Sequence, residues 1–262
     1  MSEKSGPQRD QCLILIKAQP HRSNKYEETV CCAGVGMDGR WRRQYPVPFR
    51  VLADNQKFGR WHWIEYEFVQ PRTDQRRESQ KVDPDTIKPA GLMKKQERAD
   101  FLSPLVKQTF DEADAERSSL TLIRPQSIRI SSRDKSAKKL EAERLKHKSV
   151  SDQLSFLHRS VEPLEPCPKI FSVIWTDGGG KSHTHDCDDW ETAAAFGRFS
   201  RMYGEEGAIK ELRFKYEEQY FEKGLTLAFS THSRRNIEYG MKNQWLLVGM
   251  IRLDRSDQGR LI

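Results

Sequence analysis

Four short runs of β-forming residues, crowded between Cys12 and Val69 and separated by turn residues, restrict this chain more than any other feature. They are Cys12–Lys17 (CLILIK), Glu28–Val35, Trp41–Tyr45 and Trp61–Val69 (WHWIEYEFV). Asp38-Gly39 between the second and third runs marks a tight hairpin, because these residues tolerate the left-handed backbone such turns need. In the fourth run Trp61, Trp63 and, after a shift, Tyr66 and Phe68 stand against His62, Glu65 and Glu67, the alternation of a half-buried strand. Short strands joined by Pro- and Gly-containing turns predict a small, OB-like β-barrel.

Beyond it, Arg72 to Arg98 is charged and interrupted by Pro84 and Pro89, and reads as an excursion over the surface. Leu120–Arg124 and Ile128–Ser131 return to strand character and are expected to close the barrel, giving a first domain over 11–132. Residues 133–166 read as a basic helix or linker: 133–148 (RDKSAKKLEAERLKHK) has helical composition and a large excess of Lys and Arg, and Pro163, Pro166 and Pro168 follow it. The last domain, 167–262, runs β-β-α-α-β-β. Ile170–Trp175 and Lys181–Cys187 flank an Asp177-Gly178-Gly179-Gly180 turn, and Asp188 or Asp189 caps a helix bearing Trp190, Ala194, Phe196, Phe199 and Tyr203. Ile209, Leu212, Tyr216 and Tyr220 form one stripe of a second helix that ends at Gly224. Leu225–Phe229 and Trp245–Leu253 are strands. The expected class is α+β, a barrel followed by helices against an antiparallel sheet.

The chain has 262 residues, 45 Lys and Arg against 38 Asp and Glu, and a net charge of +7. A basic balance makes a polyanion the first partner to consider. The five cysteines are odd in number and irregularly spaced, with no CxxC pair and no secretory leader, which indicates a reducing, cytoplasmic compartment. No apolar run approaches the roughly 18 residues of a membrane span, so no membrane association is expected.

Two constellations carry possible chemistry. Arg40, Arg42, Arg43, Arg50, Lys57 and Arg60 interleave with aromatics including Trp41 and Trp61, with Asp54 the single acid among them. Arginine pairs with phosphate in bidentate fashion and aromatic faces stack on bases, a mixture suited to single-stranded or distorted DNA or RNA. The other reading makes the aromatics a barrel core and the cations its solvated rim. The second constellation is His183, His185, Asp186, Asp189 and Glu191. His183 and His185 share a strand face and are the candidate ligands of a divalent metal, and the carboxylates are candidate general acids and bases. The competing reading is strand polarity followed by an Asp helix cap. A dinuclear HxHxDH site would carry Asp at 187 and His at 188, where Cys187 and Asp188 stand. Gly180-Lys181-Ser182 is no phosphate loop, since Trp175 occupies the position of its first glycine. His232-Ser233-Arg234-Arg235 forms a further polar loop without a motif.

Val30-Cys31-Cys32-Ala33-Gly34-Val35, with Gly39-Arg40-Trp41-Arg42-Arg43 and Pro46 after it, resembles the C-x-A-G … G-x-W-x-R-x-x-P pattern of bacterial dual-OB-type accessory and defence-associated proteins. The resemblance covers the N-terminal part alone. It implies a prokaryotic accessory protein in a defence or mobile-element setting, with barrels suited to nucleic acid, and assigns no catalytic residue. The leading expectation is therefore a nucleic-acid-binding subunit, with a protein partner in a multi-subunit system. The alternatives are a metal-dependent nuclease or hydrolase using the 183–191 cluster, and an adaptor docking through the Phe196 or Tyr216 helix.

Overall fold

The computed structural model describes residues 6–19, 21–23, 27–74, 76–156, 162–231 and 245–255. In chain order the first elements are β1 (Gln8–Lys17), β2 (His21–Ser23), β3 (Glu27–Gly36), β4 (Trp41–Val47), β5 (His62–Val69) and β6 (Ser79–Leu92). There follow α1 (Glu97–Leu102), β7 (Val106–Lys107), α2 (Phe110–Ala115), β8 (Leu120–Ile123), β9 (Ser127–Asp134) and α3 (Ala137–Phe156). The last are β10 (Lys169–Thr176), β11 (Ser182–Asp186), α4 (Trp190–Arg213), α5 (Phe221–Lys223), β12 (Leu225–Thr231) and β13 (Trp245–Arg252), with a π-helical stretch, Phe214–Tyr220, between α4 and α5. No helix among the described residues is long and apolar enough to cross a membrane. The chain divides into two compact units, 1–93 with 134–168, and 94–133 with 169–262.

In the first unit five strands close a barrel. β1 pairs antiparallel with both β3 and β5, β3 with β4, and β5 with β6, and β6 returns parallel to β4 with Tyr45 opposite Lys81. Closure removes the open edges that would otherwise pair with other chains. Leu13, Ile14, Leu15, Ile64 and Ile87 are fully buried in this unit. The Asp38-Gly39 hairpin forms as expected, with Gly39 at φ 72° and its N–H donating to the Gly36 carbonyl. Backbones approach most closely where Gly34 lies opposite Ile14, at a bulge in β1, and a Cβ on Gly34 would fall on the Leu13 carbonyl oxygen.

The stretch read as a surface excursion contains the strand that closes the barrel. β6 keeps Val82 and Ile87 inside while Lys81, Asp83, Asp85 and Lys88 face out, and register shifts accommodate it against β5. Its charges belong to the solvent face of a real strand. Leu120–Ile123 and Ser127–Asp134, expected to close the barrel, lie instead in sheets of the second unit, and α3 groups with the barrel. Their local sequence signals a strand and carries no information about its partner.

The second unit holds two sheets, β11-β10-β9 and β13-β12-β8-β7, with the expected β-β-α-α-β-β order from β10 to β13. The two predicted helices are separated by Gly204, at φ 71°, a left-handed conformation that glycine adopts without steric cost. Trp175, Phe196, Tyr216 and Phe229 are the largest fully buried side chains. Edge strand β9 is covered by side chains: Glu217 accepts from the Ile130 N–H at 2.5 Å and Arg213 Nε donates to the Ile130 carbonyl at 3.2 Å. Both side chains come from the end of α4 and the π-helical stretch, so that stretch satisfies backbone groups that an unpaired strand edge leaves open.

Candidate functional site

The cations predicted to contact phosphate divide into two sets. Arg42 is largely buried and bonds Asp10 at 2.6 Å and Asp38 at 3.1 Å. Burial opposes its charge, yet the hydrogen bonds to Asp10 and Asp38 hold its guanidinium above the ordinary value. Asp10 also accepts from Gln80, Gln80 accepts from the Tyr66 hydroxyl, and that hydroxyl accepts from Gln44, so Arg42 anchors a polar chain within the barrel. Arg43 is 8 % exposed and stands 3.6 Å from Glu78. Arg60 donates to the Leu15 carbonyl, Arg50 to the Glu162 carbonyl, and Lys57 pairs with Asp54 at 2.8 Å on the surface. Arg40 is exposed at the hairpin. Arg42, Arg43, Arg50 and Arg60 thus have internal partners that the sequence conceals, because most of those partners lie far along the chain.

Of the aromatics of this stretch Phe58 is buried and the others are half-buried: Trp41 starts β4, and Trp61 precedes β5 at φ 73°. A tryptophan in the left-handed region is strained, and Trp61 is held there by backbone bonds to Ile14 and to Met93, each 2.8 Å. Other exposed cations of the unit include Arg72, Arg77, Lys81 and Lys88, and on α3 Lys138, Lys139, Lys146 and Lys148, while exposed Arg9 and Arg144 pair with Glu67 and Glu165. Five of the seven net positive charges belong to this unit.

The 183–191 candidates fold into separate roles. Among the described residues no three His, Cys, Asp or Glu side chains come together to hold a metal. Asp186 forms an ion pair with Arg133 at 2.6 Å and accepts from the Ser172 hydroxyl. Asp189 is fully buried and caps α4, accepting from the Glu191 N–H at 3.1 Å, the Thr192 hydroxyl at 3.1 Å and the Met250 N–H at 3.2 Å. Glu191 lies in the first turn of that helix. Thr192 in turn meets the Tyr216 hydroxyl at 3.0 Å. On the two helices considered for docking, Phe196 and Tyr216 themselves are buried, and the exposed aromatics are Tyr203 and Phe214. The 232–235 loop lies outside the described residues.

His183 and His185 share a face, as their spacing on β11 predicts, and they join a ring cluster that sequence reading did not anticipate. Phe110, at the start of α2, stands at the centre. Its ring centroid lies 4.8 Å from Phe229, 5.3 Å from His183, 5.4 Å from Trp245, 5.6 Å from Trp175 and 5.7 Å from His185. The histidines are held in fixed orientations. His183 Nε2 bonds Asp177 at 2.8 Å, and Trp175 Nε1 donates to His185 Nδ1 at 3.1 Å. Asp177 also accepts from the Gly179 and Lys181 N–H groups, so the turn before β11 positions the carboxylate. Against the opposing effect of burial, these bonds hold Asp177 below the usual carboxylate range. Burial, reinforced by the neighbouring His183, pulls His185 from its ordinary 6.5 down to about 4.

A pH dependence follows from His185. The unfolded chain takes up a proton near 6.5 and the folded site only near 4, so stability falls as pH drops through that window and levels off below it. After allowance for its partial exposure, the loss is about 2 kcal/mol. Asp177, depressed in the fold, adds its own loss only below the ordinary carboxylate pKa of 3.8. Melting curves from about pH 7 to about pH 4 should show the decline, and His185→Gln should flatten it. An equally steep decline in that variant would assign it to other groups.

Residues 8–108 match the family described as domain of unknown function (DUF8758). A comparison with curated proteins finds no match. Residues 103–261, more than half of the chain, match the family described as domain of unknown function (DUF8757), and the chain belongs to that family.

Proposed function

We propose that the chain is a nucleic-acid-binding accessory subunit acting through its barrel unit. The observation that carries this reading is a small closed barrel, in the more basic unit, that keeps Lys81 exposed on β6 and Arg40, Arg72 and Arg77 exposed in the β3–β4 and β5–β6 connections, with half-buried aromatics on the neighbouring strands β4 and β5. Barrels of this size bind strands by combining cations that follow the backbone with aromatic faces for the bases. Lys81 lies opposite Tyr45 across the β4–β6 pairing, which places a cation and a ring side by side. Arg42 and Arg43 act in this reading as supports of the barrel, and Arg40, Lys81 and the α3 lysines take the phosphate-contacting role. The likeness of the N-terminal part to dual-OB-type proteins supports a prokaryotic defence or mobile-element setting with a protein partner. The cysteine usage supports a cytoplasmic location.

The test is fluorescence anisotropy with labelled single-stranded and duplex DNA and RNA across a salt series. Each neutralised phosphate releases counterions, so six contacts give a log–log slope of about −5 on duplex DNA and about −4 on a single strand. Absence of binding at low salt, or a response flat in salt, contradicts the proposal.

A further inference from the structure

Cations that lie far apart in the sequence gather in the second unit at the end of β13. β12 runs between β8 and β13, with Ile123 opposite Leu227 and Arg252 opposite Leu225, so Arg124, directly after β8, and Arg252 flank the start of β12 from either side. The chain then continues against Gly224. The Leu253 N–H donates to the Gly224 carbonyl at 2.9 Å, the Arg255 N–H donates to the Lys223 carbonyl at 3.1 Å, and a Cβ on Gly224 would fall on the Leu253 carbonyl oxygen. Arg124 donates to that same carbonyl at 3.3 Å. Asp254 accepts from Arg252 at 2.5 and 2.9 Å and pairs with Lys95 at 3.0 Å. Arg98, three residues after Lys95 and in α1, lies within electrostatic reach of Arg252 and Asp254.

Five cations therefore surround one short stretch of chain, and one carboxylate, Asp254, is shared between two of them. The arginines respond differently to that surrounding. Arg252, hydrogen-bonded to Asp254, is held above its ordinary value. Arg98 and Arg124 are held below theirs. Burial acts on both, reinforced by the like charge of Arg252 at Arg98 and of Arg255 at Arg124, and Asp254 offsets part of the effect at Arg98. Arg42 in the barrel is the contrast, since the two carboxylates that face it raise it in spite of burial. A network that serves stability alone pairs its charges in that way. The β13 cluster instead holds like charges together, a cost that an incoming anion would offset.

We propose that Lys95, Arg98, Arg124, Arg252 and Arg255 form a phosphate-binding patch for the backbone of a nucleic-acid strand, a contact region of the second unit in addition to that of the barrel. An arginine fork donates to two phosphate oxygens at once, and a strand presents phosphates in succession to cations spread along a strand end. The patch supplies charge without base-edge contacts, so it positions the strand and leaves its sequence unread. This inference rests on the nucleic-acid reading of the chain and extends it to the second unit.

The test measures anisotropy of a labelled single strand and a labelled DNA duplex with the full chain across a salt series. Arg124→Gln/Arg255→Gln removes two charges and keeps a donor at 124 for the Leu253 carbonyl. It should lower affinity about ten-fold and reduce the log–log salt slope by about 1.8 on the duplex and about 1.4 on the single strand, the counterions of two phosphates. Arg124→Lys/Arg255→Lys retains both charges and should keep the slope. Arg255→Gln alone, at an exposed position, serves if the double variant does not fold, and should show about half the slope change without lowering the melting temperature. A folded glutamine variant with an unchanged slope, or a lysine variant that loses as much slope, overturns the patch. Displacement of the strand by adenosine triphosphate at equal phosphate concentration would make the ligand a free nucleotide and overturn the strand assignment. If the glutamine variant binds as the unaltered protein does while Arg40→Glu/Lys81→Glu loses affinity, the patch falls and the barrel reading stands. If the glutamine variant loses affinity and the barrel variant does not, the patch stands and the barrel reading falls.

Discussion

Asp189→Ala should lower the stability of the second unit by about 3–5 kcal/mol, a large share of the roughly 5–15 kcal/mol that holds a typical domain. The residue combines two functions. Its Oδ1 caps α4 through the Glu191 N–H, and its Oδ2 ties that helix start to the Thr192 hydroxyl and to the Met250 N–H of β13. Losing the cap alone costs about 1 kcal/mol. The larger cost is the buried bond from the Met250 N–H, which loses its carboxylate acceptor, together with a weakened Thr192–Tyr216 pair. Urea or thermal unfolding would measure the effect. Asp189→Asn, which keeps an acceptor oxygen at the cap, should recover part of it. A change within about 1 kcal/mol would mean that the buried network contributes little beyond helix capping.

Gly34→Ala should be the most damaging single methyl in the barrel. The new Cβ falls on the Leu13 carbonyl oxygen and comes within 2.8 Å of Cys12 Sγ. The side chain can rotate away, but the carbonyl belongs to a strand that pairs on both sides, with β3 and with β5. Relief therefore requires β1 and β3 to separate at the bulge, and the expected cost is above about 4 kcal/mol, beyond ordinary overpacking. Loss of the folded circular-dichroism signal, or of soluble expression, is the expected outcome. A well-folded variant with near-native melting would show that β1 can shift at its bulge.

These two residues also mark what could be read from sequence. Asp189 was legible as a cap because an acid preceding an apolar helical stripe is a local signal, whereas its bond to Met250, sixty-one positions away, is not. The hairpin at Asp38-Gly39 was legible for the same reason. β6 was not, since its outward charges and two prolines resemble a loop until β4 and β5 are seen on either side of it. The arginines were visible as charge, but Asp10 and Glu78, which engage Arg42 and Arg43, become partners only when the barrel closes. His183 and His185 were correctly placed on one face. Their company was missed, because Phe110, Phe229 and Trp245 arrive from α2, β12 and β13. The available hint was Phe110 itself, a large ring directly after Thr109, whose hydroxyl accepts from the Glu112 N–H at the start of a helix too short to bury a core.

The central proposal is that nucleic acid is held by the exposed cations of the barrel unit. Its most direct test compares Arg40→Glu/Lys81→Glu with Arg201→Glu, a charge reversal at an exposed position on α4 of the other unit. Affinity for single-stranded and duplex probes is measured for each across the same salt series. The barrel double variant should lose about ten-fold or more in affinity, with the salt slope reduced by about two, while Arg201→Glu binds as the unaltered protein does. Unchanged binding by the folded barrel variant, or an equal loss from Arg201→Glu, would contradict the proposal.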